Sequence, residues 1–132
     1  MKSKTVLVSR ILLGLIFVVF GGNGLIYFTT GKSLMPMPPP PPEMMTIMTG
    51  FMATKYLLIL VKLIEVVAGF MLLANCYVTL ANLLLAPIVV NIFCIHLFVE
   101  PSGLPIAIAV TVMLIIQFWG RWSDYRPLLK CK

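Results

Sequence analysis

The sequence predicts an all-α polytopic membrane protein, a bundle of four transmembrane helices, on three observations. Of its 132 residues, 61% are hydrophobic and 11% are charged, against about 45–50% and about 25% in soluble domains. A soluble chain this short has too little interior to hide so much apolar surface, so lipid is the expected solvent. Four apolar runs, at about 5–28, 51–74, 78–99 and 104–122, are near the ~20 residues that a spanning helix needs. The ten Lys and Arg outnumber the four Asp and Glu and sit mostly at the chain ends beside apolar runs. That placement reads as membrane orientation and contact with anionic lipid, and excludes the basic stripe of a nucleic-acid binder.

The first run follows Lys2 and Lys4, like the charged start of a secretory signal, but no small-x-small cleavage site follows. It continues through Asn23 to Phe28, so it reads as an uncleaved span. Arg10, Gly14, Phe17, Gly21 and Gly24 share one side of it, and small residues there allow a second helix to approach closely. Arg10 either snorkels to the inner headgroups or turns inward with the glycines. The loop at 31–50 contains MPMPPPPPE, where consecutive prolines favour a stiff, extended polyproline II spacer.

In the second run Lys55, Lys62, Glu65 and Gly69 step by seven, three and four, which places them on one helix face. A tight turn at 75–77 makes the second and third spans antiparallel neighbours. In the third run Asn82, Val89, His96 and Glu100 lie along one face, and Asn91 points away from it. Pro87 is expected to kink this span and free the Leu83 carbonyl. Glu100-Pro101-Ser102-Gly103 is a turn, and Trp119, Trp122 and Tyr125 read as an aromatic belt at the end of the fourth span.

The whole chain, 1–132, is one domain. The basic flanks, Lys2 and Lys4 at one end and Arg121, Arg126, Lys130 and Lys132 at the other, fall on the same side after an even number of crossings. The positive-inside bias makes that side cytoplasmic and puts the proline loop outside.

Ionisable groups inside a span are costly and normally face the bundle interior. Lys62 and Glu65, three apart, can pair, and Arg10–Glu65 is a second expected charge pair. Depth layers put Arg10 inward, Lys62, Glu65 and Asn91 near the middle, and His96 outward. Arg10, Lys62, Glu65, Asn91 and His96 are therefore the candidate intramembrane polar site, with Gly14, Gly69 and Pro87 as structural residues. The ion pair reads either as a device that lets the helix insert or as a proton or substrate site. His96 has the side chain type that titrates near neutral pH. A lone histidine cannot hold a bis-histidine haem within one protomer. Cys76, Cys94 and Cys131 have no zinc spacing, and no nucleotide loop, metalloprotease signature or catalytic triad is present, so no catalytic residue and no metal ligand is assigned.

The segments RILLGLIFVVFGGNGL from Arg10 and KLIEVVAGFMLLANCYVTLANLLLAPIVVNIFCIHLFV from Lys62 resemble the DoxX family of small four-helix bacterial membrane proteins. The resemblance rests on K-x-x-E-x-x-x-G, A-P-x-x-x-N and the following histidine, and spans most of the chain outside the proline loop. The motif residues are Arg10, Gly14, Lys62, Glu65, Gly69, Pro87, Asn91 and His96. The resemblance implies a bacterial inner-membrane location and a small subunit or partner of a quinone-linked redox complex, with no cofactor of its own and quinone as a possible ligand. It also implies other membrane subunits, or further copies of the chain, as partners within the lipid bilayer. The paired cysteines of a thiol-redox relative are absent. Two other readings remain open: a non-enzymatic structural or assembly protein, and a proton or small-solute transporter.

Overall fold

The computed structural model describes residues 2–131, and every regular element among them is helical. Helix α1 runs over Lys2–Thr30, α2 over Pro42–Ala53, α3 over Leu57–Leu73, α4 over Val78–Phe98 and α5 over Leu104–Gly120. A single turn, α6 (Trp122–Tyr125), and a 3₁₀ segment at Arg126–Leu129 follow. Three stretches, in α1, α4 and Pro101–Gly120, are long and apolar enough to cross a membrane, and α2 with α3 qualifies as a bent fourth.

α1 packs along α3 and α5, and α4 packs along the same two helices, so the four long helices close a ring. Leu13, Phe17, Ala68, Leu72, Val78, Ala81, Leu85, Val89, Val110 and Leu114 fill its centre. The outer surface is apolar too, with Leu12, Phe20, Leu63, Phe70, Val90, Ile106 and Ile115 all exposed. A contiguous apolar exterior on this scale suits lipid and would drive aggregation in water.

The second span departs from expectation. A straight helix over 51–74 is replaced by α2 and α3, bent by 93° at a short break. At the break Lys55 is left-handed (φ 69°). Thr54 Oγ1 donates to the Phe51 carbonyl at 2.6 Å and accepts the Leu57 N–H at 3.1 Å, closing one helix and opening the next. Lys55 therefore does not continue the face of Lys62, Glu65 and Gly69. The end of the proline spacer is helical too, because Pro42 occupies the first position of α2, where a missing N–H costs nothing. α4, in contrast, is continuous through Pro87, which sits on its exposed side.

Candidate functional site

The α1–α3 contact is set by glycines. A Cβ on Gly14 would lie 3.0 Å from the Gly69 carbonyl oxygen, and a Cβ on Gly69 would lie 3.0 Å from that of Gly14. The two backbones touch there, as expected of a small-residue seam. About two to three turns further along α1, Gly21 and Gly24 form a notch that α3 fills with charge. A Cβ on Gly21 would meet Glu65 Cβ at 3.0 Å, and one on Gly24 would meet Lys62 Cδ at 2.8 Å.

In that notch Lys62 Nζ donates to Glu65 Oε2 at 2.9 Å. The Glu65 side chain is 3% exposed and that of Lys62 is 24%. The expected pair is present. Because α3 begins at Leu57, Lys62 lies five residues, about 7.5 Å, from the helix start. Glu65 is the middle residue of α3, and Lys62, in the N-terminal half, sends its ammonium to that carboxylate.

Arg10 is buried, so it turns inward with the glycines, yet it does not reach Glu65. Its guanidinium donates to the backbone carbonyl of Leu72. Leu72 is seven residues, about 10 Å, beyond Glu65 along α3, which is why the two charges stay apart. The last carbonyls of a helix lack partners within it and carry partial negative charge, so a cation from a neighbouring helix caps α3 there.

Asn91 and His96 stand apart from this charge cluster. Asn91 is exposed beside Val90 on the outside of α4, roughly half a turn from buried Val89. His96 Nδ1 lies 3.1 Å from the Glu100 carbonyl oxygen and 3.9 Å from Glu100 Oε2, with the ring packed on Gly103. It closes the turn between α4 and α5. Cys94, which a packing role would bury, is exposed, as are Cys76 and Cys131.

Further polar fastenings join the helices. Gln117 Nε2 donates to Val6 O at 2.7 Å and Ser9 Oγ at 2.5 Å, tying α5 to α1. Asn23 Oδ1 accepts the N–H groups of Leu34 (2.8 Å) and Met35 (3.2 Å), holding the loop against α1. Asn82 Nδ2 donates to Tyr125 Oη at 3.0 Å, Tyr125 Oη donates to Thr79 O at 3.3 Å, and Thr79 Oγ1 donates to Asp124 Oδ2 at 2.9 Å. Tyr125, expected in an interfacial belt with Trp119 and Trp122, is buried at 4% exposure while the two tryptophans are about half exposed. Burial pushes the Tyr125 hydroxyl above its ordinary value, against smaller opposing effects of the Asn82 bond, the Arg121 charge and the Thr79 bond. The signal for this cluster was in the sequence, as one asparagine within an apolar run.

Two hollows lie at the α5–α6 end, away from the Lys62–Glu65 and His96–Glu100 pairs, and the second is beside the Arg121–Asp124 pair. One of ≈ 590 Å³ is bordered by Trp122, Arg126 and Lys130, and one of ≈ 520 Å³ by Ser3, Arg121 and Asp124. Among the described residues no three His, Cys, Asp or Glu side chains group to hold a metal ion. The chain matches no protein-family model, no curated protein sequence and no solved structure.

Proposed function

We propose that this chain is a DoxX-like integral membrane protein, crossing a bacterial inner membrane four times with both termini cytoplasmic, that acts as a non-catalytic subunit of a larger membrane complex. The bent α2–α3 pair supplies the second crossing. The resemblance makes a quinone-linked redox complex the expected host, and that host supplies any redox centre.

One observation carries the non-catalytic reading: Arg10 of α1 and Lys62 and Glu65 of α3 close on their own chain. Arg10 binds the Leu72 carbonyl across the α1–α3 contact and Lys62 binds Glu65 within α3, so their donors are engaged by the chain itself. A quinone site needs donors aimed into a hollow, and a transport path needs a wet gap. The Gly14–Gly69 contact fills the α1–α3 seam instead.

Breaking and replacing the ion pair tests this. Removing one partner of a buried pair costs roughly 3–5 kcal/mol, whereas exchanging both for apolar residues is often neutral. Lys62 is partly exposed, which lowers the first figure here. Glu65→Leu alone should lower the unfolding temperature in detergent and the yield of the host complex, and the Lys62→Met/Glu65→Leu double substitution should restore both. A double variant that folds and assembles normally but abolishes quinone reduction by the complex would sink the proposal and favour a quinone or proton site.

A further inference from the structure

Outside the ring of long helices, one segment carries chemistry that the helix fastenings do not use. The chain has nine methionines, and six of them, Met35, Met37, Met44, Met45, Met48 and Met52, fall between the end of α1 and the α2–α3 break. At about 100° per residue, the four in α2 occupy an arc of about 100°. Met48 stands four residues after Met44, three after Met45 and four before Met52. Residues at those spacings have Cβ atoms about 5–6 Å apart, a gap that flexible thioether side chains can close.

Core packing does not account for this arc. No residue of α2 is fully buried: Met44 and Met48 are partly buried, and Met45 and Met52 are 50% and 54% exposed. Thr46, Thr49 and Gly50 lie outside the arc and are exposed too. Nearby, Asn23 Nδ2 donates to Met37 Sδ at 3.7 Å, so the loop preceding α2 is held rather than free.

We propose that the methionine face of α2 binds a soft monovalent cation, Cu(I) or Ag(I), through the thioether sulfurs of Met44, Met45 and Met48. Thioethers are neutral and polarisable, and they select Cu(I)-type ions over hard cations such as Mg²⁺ or Ca²⁺. They also have no proton to lose, so binding persists at acid pH, where thiolate and imidazole ligands are protonated. A face that merely met lipid would need bulk and apolarity, which leucine supplies equally well.

Methyl-¹³C-methionine NMR of the full chain in detergent, titrated with silver nitrate after Cys76, Cys94 and Cys131 are alkylated, decides the matter. The methyls of Met44, Met45 and Met48 should shift together and saturate, while those of Met71 and Met113 stay in place. Met48→Leu should weaken binding roughly tenfold or more, since one of three donors is lost. Met44→Leu/Met45→Leu should do the same, and Met71→Leu should not. No shift in excess silver, equal movement of Met71 and Met113, or wild-type affinity in the Met48→Leu chain would each overturn the proposal.

Discussion

Gly69 has no room for a side chain. A Cβ there would lie 2.8 Å from Val18 Cγ2 and 3.0 Å from the Val18 backbone nitrogen, an atom that cannot swing aside. Gly69→Ala should therefore push α1 off α3 and lower stability by about 1–3 kcal/mol, the usual range for overpacking. Gly22, on α1, has open space where its Cβ would be. Gly22→Ala should be neutral or gain up to about 1 kcal/mol from helix propensity. Thermal unfolding of both variants in one detergent checks the contrast. Tyr125 offers a second test. Tyr125→Phe takes away the hydroxyl to which Asn82 Nδ2 donates, in a residue whose Oδ1 has no partner among the described residues, and should cost about 1–3 kcal/mol. Because the folded chain holds the Tyr125 proton more tightly than the unfolded chain, the stability linked to that proton is complete below pH 10, the ordinary value. It is lost as pH rises beyond it. Absorbance near 295 nm should show one tyrosine ionising after the others, and Tyr125→Phe should abolish that late step. At this scale the sequence was readable for the Lys62–Glu65 pair, because i,i+3 spacing makes it local. It was silent on Arg10, whose partner is a main-chain carbonyl chosen by the crossing of two helices.

At the scale of elements, the ends of α1, α4 and α5 fall within a few residues of the boundaries that hydrophobicity and turn residues mark. The break between α2 and α3 does not, and the reason is chemical. The usual punctuation, Pro or Gly, is missing from Thr54-Lys55-Tyr56, and the turn is made by a threonine hydroxyl and a left-handed lysine. A left-handed non-glycine residue costs about 1–2 kcal/mol. Lys55→Gly should recover part of that and raise the unfolding temperature, whereas Lys55→Val should lower it, because β-branching opposes this backbone region. Equal temperatures for the two would mean that the bend is not built on this residue. The start of α2 was legible in principle. Pro42 followed by Glu43 is a good helix opening, but five prolines in a row spoke for an extended chain more strongly.

For the whole molecule, the topology proposed above makes a prediction that needs no activity assay. If both termini are cytoplasmic, the α3–α4 turn with exposed Cys76 is on the same side as Cys131. A membrane-impermeant maleimide added to intact spheroplasts should leave both unlabelled and should label a Ser33→Cys chain in the loop after α1. Labelling of Cys76 from outside would reverse the orientation.

The shortness of α3 has a consequence for the surrounding bilayer. Seventeen residues give about 25 Å of helix, and the twenty-nine of α1 give about 43 Å, against a hydrocarbon slab of about 30 Å. In the topology proposed above, with α2 turned aside at the bend, α1 would lean and α3 would pinch, so the acyl chains would be compressed along one flank and unstrained along the other. Neighbours with a narrow greasy girdle would gather on the compressed flank, which gives this small protein a sidedness within the plane of the membrane before any specific contact is made.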